Sequence, residues 1–147
     1  MSTCTHTIAA GAHIIHQEKI LLLLRNSPPY IWAPPGGRLM KDEPHLEGLC
    51  REIQEECNLE IKIWGPSLLH SFMHKGSFLL AIFFVCELKG GTLKLSEEHT
   101  NAHWYTLEEL EDEFKKGTEI FGKLSDYKRA FRLLKYVYKE EKNGASR

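Results

Sequence analysis

Glu52, Glu55 and Glu56 stand three and four positions apart, in a stretch whose apolar residues recur at helical steps. At about 100° per residue, Glu52 and Glu56 point within roughly 40° of each other, with Glu55 about 60° to the other side. One helical surface therefore carries three carboxylates, placed opposite the apolar stripe. Like charges one turn apart repel by roughly 0.2–0.5 kcal/mol. The cluster also falls in the last turns, where the helix dipole prefers cations. A hard divalent cation such as Mg²⁺ takes oxygen ligands and would turn this repulsion into attraction. A bare run of this kind reads more simply as a wet helix face, because glutamate is a good helix former. Gly48 lies one turn before Glu52 on the same surface and would let a metal, a water or another backbone come close.

The elements that must hold this surface can be read on either side of it. Leu46, Leu49, Cys50, Ile53 and Cys57 form the apolar stripe of a helix over Pro44–Cys57. Pro44 suits the first turn. Asn58 suits the left-handed residue that ends a helix, a place usually taken by glycine. Upstream, Thr5–His16 and Ile20–Arg25 are apolar runs separated by Gln17-Glu18-Lys19, which predicts a β-hairpin. Asn26–Pro35 is a proline-rich loop leading into Gly36-Gly37. Downstream, Ile61–Trp64, Leu68–His74 and Phe78–Leu88 read as strands, with a hairpin turn at Lys75-Gly76-Ser77 and a break at Lys89-Gly90-Gly91. A short strand over Ala102–Tyr105, a helix over Leu107–Phe114 and a last helix from a Ser125 cap to about Lys139 complete the reading. The expectation is one mixed α+β domain over residues 1–147, with helices packed on a sheet.

Bulk composition narrows the function. Nineteen Lys and Arg balance twenty Asp and Glu, so the net charge is −1. Domains that bind nucleic-acid polymers are usually clearly basic, so no such partner is expected. No apolar run reaches the roughly 20 residues of a membrane span. The first residues lack the layout of a signal peptide. Four cysteines without CxxC spacing read as reduced thiols in a cytoplasmic protein.

The spacing around the acidic helix is more specific than the helix alone. From Gly37, five residues lead to Glu43, and seven more lead to Arg51-Glu52-Ile53-Gln54-Glu55-Glu56-Cys57-Asn58-Leu59. This resembles the Nudix box, G-x5-E-x7-R-E-U-x-E-E-x-G-U with U apolar. Only Asn58 departs from it, at a position that contributes conformation and no ligand. Trp32 followed by Pro35-Gly36-Gly37 is similar to the lead-in common in that family. Glu97-Glu98-His99, His103-Trp104-Tyr105 and Leu107-Glu108-Glu109-Leu110 resemble the family's acidic loop, tryptophan strand and following helix. The resemblance implies the Nudix fold, an α/β/α sandwich around a mixed β-sheet with a loop–helix–loop catalytic motif. It also implies hydrolysis of a nucleoside diphosphate linked to some group X.

On that resemblance, Gly37, Glu52, Glu55 and Glu56 are the expected metal site, for Mg²⁺ with Mn²⁺ as the alternative. Glu52, Glu55, Arg51 and Glu98 are the expected catalytic residues. Gly36 and Gly37 would bring backbone groups to the metal or phosphate. Arg51 would orient a box carboxylate by a charge-assisted hydrogen bond. Glu43 is either a further ligand through water or a buttress for Arg51. The general base is a box glutamate or Glu98, with Glu97 beside it. Arg25, Trp32 and Gly36 are candidates for substrate binding. Among the aromatic residues that could stack a base, Phe72 and Phe78 read rather as core. Of the eight histidines, His70, His74, His99 and His103 fall near the expected cleft, each read as structural or exposed. The partner is then a nucleotide-like small molecule, most simply a nucleoside triphosphate. ADP-ribose, a dinucleoside polyphosphate and a nucleotide sugar are the alternatives. A non-catalytic nucleotide sensor on the same fold is a further reading, which the intact set of box glutamates disfavours. A helix acting only as an acidic interaction surface would give Gly37 no role.

Overall fold

The computed structural model describes residues 6–140. Four apolar residues in a row, Ile20 to Leu23, are all fully buried, which a strand achieves only when both faces of its sheet are covered. That strand is β2 (Lys19–Arg25), antiparallel to β1 (His6–His16). The two-residue turn between them, Gln17-Glu18, has positive φ at both positions, the twist that joins hairpin strands. Short β3 (Trp32–Ala33) and β4 (Gly36–Arg38) flank them, and both lie within what the sequence reads as loop and lead-in. Helix α1 (His45–Cys57) follows, then β5 (Leu59–His74), β6 (Ser77–Gly91) and β7 (His99–Thr106). Helices α2 (Leu107–Lys116) and α3 (Leu124–Arg132) come last, and α3 continues as a π-helical stretch, Leu133–Tyr138.

The sheet runs β3-β2-β1-β6-β5, with β4 paired to β1 and β7 to β2. All pairings are antiparallel except that of β1 with β6, so the sheet is mixed. Alternation along the strands splits the core in two. Ala10, Ala12, Ile14, Leu21, Leu23, Phe84 and Cys86 meet Leu49, Ile53 and Cys57 of α1. Ile15, Ile20, Leu22, Val85 and Tyr105 meet Leu110, Tyr127, Ala130 and Leu134 on the other side. The result is the expected α/β/α sandwich. Truncating Leu49 or Ile53 to alanine would cost about 2–5 kcal/mol, as for any large buried aliphatic residue.

Four sequence expectations change. The break read at Lys89-Gly90-Gly91 lies inside β6, where Gly90 and Gly91 pair with Glu60 and Leu59. Ile61–Trp64 and Leu68–His74 belong to one strand, because Gly65-Pro66 falls on the sheet's edge, where a missing N–H breaks no ladder and bulges absorb the irregularity. Ser125 does not cap the last helix; it lies inside it, and Asp126 accepts the Lys123 backbone N–H at 2.9 Å instead. Phe78 is 46% exposed and stacks on His6 rather than joining the core. Of the cysteines, Cys57 and Cys86 are buried and Cys50 is exposed. Cys4 lies outside the described residues.

Candidate functional site

Helix α1 is fixed at both ends before it presents any chemistry. Pro44 precedes it with an extended backbone, and Asn58 ends it in the left-handed conformation, its N–H donating to Gln54 O. Leu49, Ile53 and Cys57 lock it onto the sheet. Leu46 and Cys50, which the spacing assigns to the same stripe, are exposed, so the buried seam is narrower than expected. The seam is continued by Glu56, only 5% exposed. The three carboxylates therefore do not all face away from the core: Glu55 is in solvent, Glu52 is mostly covered and Glu56 is inside.

Arg51 organises the outer part. Its Nε and Nη2 donate to the two Glu43 oxygens at 2.7 and 2.9 Å, and Nη1 reaches Glu52 at 3.0 Å and Glu55 at 3.1 Å. A further bond from Nη2 to Arg38 O, at 3.3 Å, ties the end of β4 to the helix. Arg51's hydrogen bonds, joined by that of the Met40 amide, hold the Glu43 carboxyl down to about 2. Glu43 in turn raises the basicity of Arg51. This is the buttressing arrangement of the two open to Glu43. Gly48 serves the same buttress, because a side chain there would run into Leu39 and the Glu43 carboxylate.

Gly36 and Gly37 lie under the inner part. A Cβ on Gly37 would overlap the Glu52 carboxylate, so that carboxylate rests directly on bare backbone. Burial raises the Glu52 pKa despite Arg51 beside it. Burial, with the nearby charges of Glu52 and Glu98, pushes Glu56 up to about 8, and a hydrogen bond from the Gly36 backbone opposes this only in part.

The loop after β6 closes the site. Ser96 N donates to Glu56 O at 3.0 Å and Lys94 N to Cys57 O at 3.1 Å, so the loop is sewn to the end of α1. Asn26, just after β2, donates its N–H to Glu98 O at 3.0 Å. Glu98 is thereby held where its charge acts on both Glu52 and Glu56. The first residue of β7, His99, pairs with Arg25 of β2 and sets its ring against Glu56. Burial lowers its pKa.

The fold thus brings Gly36, Gly37, Arg51, Glu52, Glu55, Glu56 and Glu98 to one place. Arg25 stands at the same end of β2, its charge acting on His99 and His74. Trp32 is separate: it packs edge-on against Tyr105 in the core under α2 and α3. The sequence reading names His99 among four histidines near the expected cleft, each read as structural or exposed, and gives it no role. The signal that could have given it one is its place directly after the acidic pair Glu97-Glu98.

The donor set suits Mg²⁺ or Mn²⁺: hard carboxylate oxygens, a buried acid crowded by other carboxylates and glycine backbone at close range. Among the described residues no three such groups are already drawn to one point. Glu52, Glu55 and Glu56 are the residues that would hold the ion.

Comparison with known proteins gives an independent view. A family model described as NUDIX domain matches residues 5–126. A MutT-like protein of Streptomyces ambofaciens is 26% identical over 107 residues, covering 73% of this chain and 68% of that one. An ADP-ribose pyrophosphatase of Methanocaldococcus jannaschii is 29% identical over 107 residues, covering 70% and 63%. The chain spans between about a third and two thirds of the length of the curated relatives it matches. The solved MutT protein of Methanosarcina mazei Go1 superposes with a TM-score of 0.71 at 26% identity, over 90% of this chain and 97% of that one.

Proposed function

The chain belongs to the Nudix family of pyrophosphohydrolases, and on that premise we propose that it uses Mg²⁺ to cleave a diphosphate linkage in a nucleoside triphosphate. The observation that carries this reading is the Glu52 carboxylate resting on Gly37, with Glu56 accepting from the Gly36 backbone and the charge of Glu98 acting on both. Arg51 meets the charge of Glu52 and Glu55, but Glu56 has no such partner and carries its charge at neutral pH only when a cation is brought beside it.

A bound divalent cation would supply positive charge to the diphosphate oxygens and favour attack by water. The chain's own groups do the rest. Glu52, Glu55 and Glu56 fix that charge in place. Arg51 orients Glu52 and Glu55 while Glu43 holds Arg51. Gly36 and Gly37 offer backbone groups to the phosphates without a side chain in the way. Glu98 takes the proton of the attacking water, because its loop faces the helix and its carboxylate, unlike those of Glu52 and Glu55, is not engaged by Arg51. Arg25 meets the phosphates at the mouth of the site. Phosphoryl chemistry asks for charge and position rather than a covalent nucleophile, and this site provides those.

The test is a panel of nucleoside triphosphates, ADP-ribose, dinucleoside polyphosphates and nucleotide sugars, incubated with Mg²⁺ and followed by chromatography. Release of a nucleoside monophosphate and pyrophosphate from a triphosphate, with turnover lost in both E55Q and E56Q, supports the reading. Preferred turnover of ADP-ribose would move the substrate class toward the enzyme named in Methanocaldococcus jannaschii. No turnover of any member, or full activity in the E55Q/E56Q double variant, would rule the reading out.

A further inference from the structure

Among the described residues, His99 Nδ1 is a buried side-chain nitrogen without a hydrogen-bond partner. The ring is 11% exposed, and its other nitrogen, Nε2, lies 3.8 Å from Glu56 Oε2. A buried polar atom left unmet costs stability, and a leucine in this place would avoid it. The backbone offers the ring little freedom: the His99 N–H bonds to Ser96 O at 3.3 Å, and Ser96 N bonds to Glu56 O at 3.0 Å. The same short loop therefore anchors both the histidine and the helix residue it faces.

The unmet nitrogen fixes the tautomer. A neutral imidazole carries one N–H, and an orphaned buried N–H is rarer than an orphaned lone pair. The hydrogen belongs on Nε2, where the Glu56 carboxylate can accept it. We propose that His99 is a positioning residue for Glu56, directing its Nε2–H at Oε2 so that the carboxylate is held in one orientation toward the divalent cation. At 3.8 Å the pair is just outside hydrogen-bond range. Fixing Glu56 in its charged form draws the two together, since a charged acceptor makes such a bond roughly twice as strong as a neutral one. Partners of this kind orient metal-binding carboxylates and tune their affinity. The inference rests on the metal reading given above and adds a residue to it.

Three variants test it: H99L, which keeps bulk without an N–H; H99Q, whose carboxamide nitrogen reaches to about the Nε2 position; and H99N, which is too short. Mn²⁺ uptake is measured by electron paramagnetic resonance without nucleotide, and thermal stability in a chelator. H99L is expected to bind Mn²⁺ roughly 10–100-fold more weakly, with no fall in chelator stability. H99Q recovers most of the affinity and H99N does not. Steady-state turnover follows, with kcat reduced more than KM is changed. Equal Mn²⁺ affinity in wild type and H99L overturns the proposal. If H99L does not fold, H99Q binding no better than H99N overturns it. A wild-type protein that takes up no Mn²⁺ either alone or with nucleotide would overturn the hydrolase reading itself, so the two failures are distinct.

Discussion

Arg51 grips Glu43 with two parallel hydrogen bonds, Nε to Oε2 at 2.7 Å and Nη2 to Oε1 at 2.9 Å, and so frees Nη1 to span Glu52 and Glu55. Only a planar, multiply donating group can serve all three carboxylates at once. R51K keeps the charge and loses the fork. It is expected to lower kcat roughly 10–100-fold with a smaller change in KM, while circular dichroism stays native. Wild-type kinetics in R51K would show that the bridge to the box carboxylates is idle.

Gly37 supports Glu52 by having no side chain. In G37A the added methyl group meets the carboxylate and must displace it. Turnover is expected to fall by about tenfold or more, as when a catalytic group is misplaced by a fraction of an ångström. The melting temperature should barely move, since the neighbour is a carboxylate and not the core. Full activity with a shifted melting temperature would be the contrary result.

Glu56 is an acid kept inside beside Glu52 and Glu98, which is why its pKa is pushed up to about 8. Its folded value lies above its ordinary 4.5, so without a cation stability is lost as pH rises from 4.5 through about 8, and beyond that the penalty on its charge is complete. E56Q is therefore expected to melt a few degrees higher than wild type in a chelator at alkaline pH, and to lose the stabilisation that Mg²⁺ gives the wild type. Differential scanning calorimetry with and without Mg²⁺ checks both halves. An E56Q protein that is less stable in chelator and still stabilised by Mg²⁺ would contradict the assignment.

His13, fully buried between Phe83 and Tyr127, supplies a pH dependence away from the acidic helix. Burial lowers its pKa from 6.5 to about 4, against the pull of Asp126. Its folded value lies below its unfolded one, so its contribution is intact above pH 6.5 and is lost as pH falls toward 4. In that window the wild type is expected to lose up to about 1.4 kcal/mol per pH unit relative to H13L. Urea unfolding of both proteins from pH 7 to pH 4 measures the difference, and parallel curves would refute it.

The sequence by itself determined the acidic helix, its boundaries and its exit through Asn58, because a helix writes its face at fixed spacing and a left-handed residue is written as glycine or asparagine. It determined the mixed α+β class, because strand runs and helix runs differ in period. It carried the family as well, because the box fixes residue types at fixed intervals. Tertiary structure decided what spacing along one chain cannot encode. Glu56 became an inner acid because the loop after β6 folds over it, and that loop is held by backbone bonds to Glu56 and Asn26. Gly65-Pro66 stayed inside a strand because that strand took the edge of the sheet. Trp32 turned to the core because β3 pairs with β2 beside Tyr105. His99 met Glu56, 43 residues before it in sequence, because β7 pairs with β2. Periodicity reports what each element can present; only long-range pairing decides which presented groups meet.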